Sequence, residues 1–207
     1  MSEIRVLLVE DHFLARMALR SVISTHGQIE VVGEACDGEA GLTMYRSLLP
    51  NVVVLDLRLP RMNGFDLLLK LRSEIPPARV VVLSNYSGSE DIYRAVRNGA
   101  KAYLTKDASG EELLNAIQSV HRGLRYFPQL ALERLAERTP AEELTPRETD
   151  VLFCITRGCS NREIAEELGI AEKTVRIHVS SVLNKMDARD RTQATIFALQ
   201  RGLVHLE

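Results

Sequence analysis

Short apolar runs alternate with amphipathic stretches along the first part of the chain. Val52–Leu55 is continuously apolar and mostly β-branched, which predicts a strand covered on both faces. Comparable runs lie at 4–9, 31–35, 79–83 and 102–105. Stretches with apolar residues at helical spacing separate these runs, and strands alternating with helices favour right-handed βαβ units. The pattern therefore predicts a flavodoxin-like α/β domain with five parallel strands in the order 2-1-3-4-5.

Polar side chains stand at the carboxyl ends of the predicted strands. In the order 2-1-3-4-5, the first, third, fourth and fifth strands are neighbours, and their carboxyl ends form one ligand-binding edge. The residues there are Glu10, Asp11, Asp56, Ser84 and Lys106. Three carboxylates favour a hard cation such as Mg²⁺. Asp56 could then attack phosphorus as a nucleophile, while Lys106 and Ser84 stabilise the phosphoryl oxygens.

The last third of the chain has helical patterns only. The capping boxes Thr145–Glu148 and Ser160–Glu163 each begin a helix, the first with proline at its first position. The bend Gly169–Glu172 leads into a further helix that ends near Met186. Two helices joined by a tight, glycine-containing turn are typical of a helix-turn-helix, whose second helix enters the major groove of DNA. An ordinary helical hairpin fits the same geometry, so both interpretations stay open at this point.

Composition and charge limit the class of protein but do not identify a binding partner. The 207 residues carry a formal net charge of -2, so overall charge does not indicate nucleic-acid binding. Cys36, Cys154 and Cys159 have no metal-ligand spacing and are expected to be free thiols in a reducing compartment. No stretch has the pattern of a signal peptide or of a membrane span. We therefore expect a cytoplasmic protein with no membrane partner.

Residues 1–123 resemble the receiver domain of two-component response regulators. The matching residues are Glu10-Asp11, Asp56 with Pro60 and Gly64 after it, Ser84, and Asn98–Lys106. This resemblance implies that a sensor histidine kinase phosphorylates Asp56 and that Mg²⁺ is the cofactor. Asp11 would bind the metal directly, Glu10 would act nearby or through water, and the main-chain carbonyl of Arg58 would complete the shell.

The same resemblance implies a switch beside the phosphoryl group. Ser84 would move toward that group, the ring of Tyr103 would swing inward behind it, and Lys106 would bind it. Many receivers have proline after this lysine, whereas Asp107 follows it here.

Two further positions should affect how long the phosphoryl group lasts. Arg58 and Tyr86 lie two residues beyond Asp56 and Ser84, so their side chains should flank the group. We expect them to tune its lifetime by shielding it from water.

Residues 144–207 resemble the LuxR-type DNA-binding domain. The matching segments are Leu144–Glu148, Asn161–Ala165, Lys173–Val179, Lys185 and Arg191–Ala194. By this resemblance, the groove-facing residues are Arg176, Ile177 and Ser180, and the phosphate-facing residues are Lys173, Thr174 and Lys185. Ala171 stands at the helix cap where relatives often have Ser or Thr, at a cost of about 1 kcal/mol. Some relatives have Lys in place of Ser180, so their base preference cannot be transferred.

Together the two parts resemble a response regulator of the NarL/FixJ type, with a linker over 124–143 that contains a short helix. The final predicted helix, Arg191–Val204, has apolar residues around nearly its whole circumference. We therefore expect an activated homodimer, which relatives form through this helix. The residues proposed for the contact are Ile196, Leu199, Leu203 and Val204. Such a dimer would bind an inverted repeat in double-stranded DNA with half-site centres about 10 base pairs apart. RNA polymerase is a further candidate partner.

Two other classes of protein share part of this pattern. Aspartyl-phosphate enzymes such as phosphatases often have a second Asp two residues after the nucleophile, where this chain has Arg58. We therefore predict no enzyme beyond a receiver that catalyses its own phosphorylation and dephosphorylation. A constitutive DNA-binding regulator with an inert receiver would lack an acid, the acceptor or the lysine, and all are present. The sequence favours a transcription regulator controlled by phosphorylation.

Overall fold

The computed structural model describes residues 3–74, 77–85, 88–137 and 144–204. The chain divides into two compact units that meet in sequence between Glu133 and Arg134, with Gly88–Asp91 grouped with the second unit. The first unit therefore continues ten residues past the receiver boundary predicted at 123.

A single sheet of parallel strands forms the centre of the first unit. Its strands are β1 (Ile4–Val9), β2 (Ile29–Ala35), β3 (Val52–Leu55), β4 (Val80–Ser84) and β5 (Ala102–Thr105). The helices between and after them are α1 (Phe13–Ser24), α2 (Gly38–Leu48), α3 (Gly64–Arg72), α4 (Ser89–Asn98) and α5 (Gly110–His121). The strand order is β2-β1-β3-β4-β5, which confirms the predicted topology. β2 begins two residues earlier than expected because Ile29 already pairs with Ile4.

Side chains of β1 pack on both faces of the sheet. Val6 and Leu8 belong to a buried cluster with Ile23 of α1 and Ile117 of α5. Val9 lies on the other side, within reach of α2 at Gly41. Because helices cover both faces, a strand with no polar side is stable here. The first polar residue after each strand must then emerge at the carboxyl edge of the sheet.

The beginning of the predicted linker packs on the open side of β5. The backbone N–H of Tyr126 donates to the carbonyl of Lys101 at 2.9 Å, and Tyr126 forms an isolated parallel bridge with Ala102. The expected short helix follows as α6 (Gln129–Glu137). Pro128 and Ala131 line a cavity of about 220 Å³ together with Tyr103. Residues 126–131 are therefore structurally part of the first unit.

The second unit contains helices α7 (Pro146–Thr156), α8 (Asn161–Leu168), α9 (Glu172–Met186) and α10 (Arg191–Arg201). Both predicted capping boxes are present, at the starts of α7 and α8. Gly169 ends α8 in the left-handed conformation with φ 63°. Ala171 precedes α9 at the N-cap position and offers no side-chain cap, as the sequence indicated. Its buried residues Val175 and Val182 pack in a core with residues of the other three helices.

The final helix is shorter than predicted. It ends at Arg201 because Gly202 adopts φ 74° and caps it in the left-handed conformation, so the predicted extension to Val204 is wrong. Val204 is buried in the core of this unit and Leu203 packs partly against it. Among the residues expected at a dimer contact, Ile196 is the one with a largely open side chain.

All three cysteines are free thiols, with Cys154 buried and Cys36 exposed. Within the residues that the structure describes, every helix is too short or too polar to cross a membrane.

Candidate functional site

Three carboxylates meet at the carboxyl edge of the sheet. Glu10 and Asp11 follow β1, Asp56 follows β3, and one oxygen of each lies within 4.8 Å of the other two. The backbone N–H of Asp56 donates to the carbonyl of Val9 at 2.9 Å, which holds the two strand ends side by side. Glu10 and Asp56 are buried, whereas Asp11 is exposed. The cluster is therefore fixed by the sheet on one side and open to solvent on the other.

The ammonium group of Lys106 bridges the two buried carboxylates. Its Nζ lies 2.7 Å from Oδ2 of Asp56 and 2.7 Å from Oε2 of Glu10. The backbone N–H of Lys106 donates to the carbonyl of Ser84 at 3.0 Å, so β4 and β5 set the position of the lysine. The lysine therefore pairs with the two buried carboxylates, and the exposed Asp11 is outside this pairing.

Burial and ion pairing together set the pKa values of Glu10 and Lys106. Burial raises the pKa of Glu10 above its usual value, and the nearby charge of Asp56 adds to this, while the hydrogen bond from Lys106 opposes it. For Lys106, burial has the largest single effect and lowers the pKa. The hydrogen bonds to Asp56 and Glu10 outweigh it, so the pKa of Lys106 is raised overall. The lysine therefore carries its charge at neutral pH.

The donor set fits a hard divalent cation. Carboxylate oxygens are the ligands that Mg²⁺ prefers, and it usually keeps several waters, for which the exposed side at Asp11 leaves room. The backbone N–H of Arg58 donates to Oδ1 of Asp56 at 3.1 Å, so the Arg58 peptide lies next to the acidic cluster.

Ser84 and Tyr103 lie on the neighbouring strands β4 and β5, and both are buried. Ser84 pairs in register with Thr105, and Tyr103 pairs with Val82. The side chain of Tyr103 is buried inside the unit, and its predicted switch role stays a prediction. Tyr86 lies outside the described residues, so its predicted role has no structural counterpart here.

The loop between β3 and α3 has an anchor that the sequence did not indicate. Arg61 adopts the left-handed conformation with φ 65° and forms an ion pair with Asp37 at the start of α2. Asp37 is buried, and its Oδ1 accepts from the backbone N–H of Ala40 at 2.8 Å. A capping aspartate before Gly38 is the one signal that the sequence offers, and it does not point to Arg61.

The predicted DNA-contacting residues share the open side of α9, with one exception. Lys173, Arg176, Ile177 and Ser180 are exposed, and Thr174 is half-buried. Their side chains lie opposite the buried valines, which is the arrangement that a groove-reading helix needs. Arg176 forms an ion pair with Glu172 one turn earlier, with 2.8 Å between Nη2 and Oε1.

Lys185 is the exception. Its Nζ lies 2.9 Å from Oε2 of Glu148, and its side chain is 18% exposed. Oε1 of Glu148 accepts from the hydroxyl of Ser181 at 2.6 Å. These hydrogen bonds lower the pKa of Glu148 to about 2. The charge of Lys185 is therefore paired within the domain, although it was expected to face phosphates.

Comparison with known proteins agrees with this division of the chain. Residues 6–118 match the family model of the response regulator receiver domain. Residues 142–198 match the family model of bacterial regulatory proteins of the luxR family.

Individual relatives match along almost the whole chain. The response regulator protein VraR of Staphylococcus epidermidis is 34% identical over 206 residues, covering 97% of this chain and 99% of that protein. The crystal structure of response regulator ChrA of a heme-sensing two-component system is 33% identical, with TM-score 0.60, and covers 99% of this chain and 100% of that one. A structure of the RcsB–DNA complex shares the fold with TM-score 0.70 at 20% identity, over 95% of this chain and 98% of that one.

Proposed function

Because the chain belongs to the response regulators that join a receiver domain to a LuxR-type DNA-binding domain, we propose that phosphorylation of Asp56 controls its binding to DNA. A sensor histidine kinase would supply the phosphoryl group. The observation that carries this proposal is the contact of Lys106 with both Asp56 and Glu10 at the carboxyl edge of the sheet. Such an arrangement places a nucleophile, an acidic metal-binding cluster and a fixed positive charge within reach of one phosphoryl group.

The proposed reaction transfers the group from nitrogen to oxygen. A carboxylate oxygen of Asp56 attacks phosphorus, the N–P bond of the kinase phosphohistidine breaks, and the imidazole leaves with the bonding electrons. Glu10, Asp11, Asp56 and the carbonyl of Arg58 would hold Mg²⁺, which supplies positive charge next to the phosphoryl oxygens when bound. The ammonium of Lys106, at the end of β5, compensates further negative charge on the phosphoryl group.

Residues around Asp56 would then respond to its phosphorylation. The hydroxyl of Ser84 donates to a phosphoryl oxygen, and the buried ring of Tyr103 occupies the space behind it. Arg58, together with Tyr86, shields the acyl phosphate from water and so tunes its lifetime.

The readout of phosphorylation would be DNA binding by a homodimer. Arg176, Ile177 and Ser180 would contact bases, and Lys173 and Thr174 would contact phosphates. Pairing through the exposed side of α10 at Ile196, with Leu199 beside it, would place two reading helices on an inverted repeat. We place this regulator in the cytoplasm with its kinase, its DNA site and RNA polymerase as partners.

Mass spectrometry of the intact full-length protein tests the acceptor. Incubation with Mg²⁺ and a small acyl phosphate should add one phosphoryl group that hydroxylamine removes. Asp56→Asn should abolish the adduct, and Glu111→Gln, which changes an exposed acid of α5, should leave it unchanged. An adduct that persists in Asp56→Asn, or that resists hydroxylamine, contradicts the assignment.

The same preparations test the control of DNA binding. The wild-type protein should bind its site more tightly with beryllofluoride, which mimics the phosphoryl group, and Asp56→Asn should not respond. Equal binding by the wild-type protein in both states would favour a constitutive regulator with an inert receiver.

A further inference from the structure

We propose that Asp37 and Arg61 are positioning residues that clamp the loop Leu57–Asn63 and thereby set the affinity of the acidic cluster for Mg²⁺. The inference rests on the metal site of the proposed function and adds a pair of residues that lie outside it. Neither side chain belongs to the carboxylate cluster, and the proposed effect on metal binding comes through the position of the loop.

The base of this loop is closed by the backbone. The N–H of Gly64 donates to the carbonyl of Leu57 at 2.9 Å. A Cβ atom on Gly64 would lie 2.3 Å from the carbonyl oxygen of Asp56 and 2.5 Å from Cα of Leu57. The start of α3 is therefore pressed against the end of β3, and the chain between them has to leave and return at one place.

The tip of the loop is held by the ion pair. Arg61 has φ 65°, a conformation that costs a residue with a side chain about 1 kcal/mol or more. Its guanidinium group reaches Oδ2 of Asp37, while Oδ1 of the same carboxylate caps α2 through the N–H of Ala40. Both oxygens of a buried carboxylate are thus used, one by the loop and one by the helix.

A second contact reinforces the first at the same point. A Cβ atom on Gly38 would lie 2.3 Å from the carbonyl oxygen of Met62, so the backbone of the loop rests directly on the first residue of α2. Adjacent residues on each side, Asp37 with Gly38 and Arg61 with Met62, therefore join the tip of the loop to the helix.

The Arg58 peptide lies between these two fixed points. Its N–H donates to Oδ1 of Asp56, and its carbonyl is the proposed main-chain ligand of the metal. When the ion pair at the tip is broken, the base of the loop stays closed. The peptides between the base and the tip can then adopt more conformations. Ordering them on metal binding then costs conformational entropy, which lowers the affinity for Mg²⁺.

Arg61→Gly separates positioning from folding. Glycine adopts a positive φ without steric cost, which offsets part of the cost of leaving Oδ2 of the buried Asp37 without its partner, so the stability of the full-length protein in urea should fall only slightly. Its affinity for Mg²⁺, measured by titration calorimetry, should fall severalfold. Asp37→Asn keeps an oxygen to cap α2 but removes the charge, and it should also lower the affinity. The matched control is Arg46→Ala, which removes the Arg46–Glu74 ion pair at a site outside the cluster. This variant should keep the wild-type affinity for Mg²⁺.

The double variant completes the test. If the two residues act through one ion pair, Arg61→Gly combined with Asp37→Asn should lose no more affinity than Asp37→Asn alone. Wild-type affinity in Arg61→Gly would overturn the clamp while leaving the metal site in place. A large loss of stability in Arg61→Gly alongside the loss of affinity would also overturn it, because the pair would then be merely structural. A wild-type protein that does not bind Mg²⁺ would overturn the metal site itself.

Discussion

At the scale of single residues, Glu148 shows how one carboxylate can join two helices. Its Oε2 accepts from the N–H of Thr145 at 2.7 Å and from Lys185, and its Oε1 accepts from Ser181. The residue therefore caps α7 and links it to α9. The capping role could be predicted from the sequence because its partner is three residues away. The contact with Lys185, which is 37 residues away, could not be predicted from any local pattern.

Removal of this carboxylate should destabilise the second unit. Glu148→Gln leaves the half-buried ends of Lys185 and Ser181 without a charged acceptor, which costs about 1–3 kcal/mol in urea unfolding. Because the pKa of Glu148 is lowered from 4.5 to about 2, its contribution should be complete above pH 4.5 and disappear as the pH falls toward 2. Glu166→Gln, which breaks an exposed pair with Arg162, should have little effect. Equal acid sensitivity of Glu148→Gln and the wild-type protein contradicts this role.

At the scale of elements, α9 has a buried side in the core and an open side with the residues proposed to contact DNA. Arg176→Ala should reduce specific affinity by about 1–3 kcal/mol if it reads a guanine. Lys173→Ala should weaken binding to all sequences alike and lower the salt slope by about one.

Lys185→Ala should leave the salt slope unchanged, because Glu148 already neutralises its charge, and should lower stability instead. Binding measured on specific and random duplexes at several salt concentrations checks these outcomes, and a salt slope reduced by Lys185→Ala would restore it as a phosphate contact.

The elements also show what the sequence can and cannot predict. The apolar runs located the five strands that the structure describes, because periodicity is a local signal. Five alternating strand and helix units also fit the flavodoxin-like order, which is the order that the sheet adopts. Once that order was assumed, the carboxylates, Ser84 and Lys106 could be placed at one edge of the sheet from the sequence alone. The end of α10 was misplaced because the apolar residues Leu203 and Val204 extend the helical pattern beyond Gly202, although they pack into the core without being helical. The Asp37–Arg61 pair was missed because the two residues meet only in the folded chain.

At the scale of the whole molecule, the boundary of the first unit differs from the boundary of its sequence pattern. The receiver pattern ends near 123, but Tyr126 pairs with β5 and residues up to Ala131 cover the cavity beside Tyr103. A fragment 1–137 should therefore unfold at a higher urea concentration than a fragment 1–123, which exposes this cavity and the edge of β5. In 1–137, Ala131→Asp should remove most of the difference, whereas Glu133→Gln on the same helix should preserve it. Equal midpoints for the two fragments would show that the segment adds nothing to the unit.

The pairing of Tyr126 with the sheet also has an evolutionary consequence. Receivers and DNA-binding domains combine in many regulators, and each new combination requires a recombination point in the gene. A crossover directly after residue 123 would replace the segment that completes the edge of β5 with one selected on a different sheet. A crossover between residues 138 and 143 would carry that segment along with its own receiver. Natural and engineered chimeras should therefore retain function more often when the junction lies after α6, so the heritable module is longer than the recognisable domain.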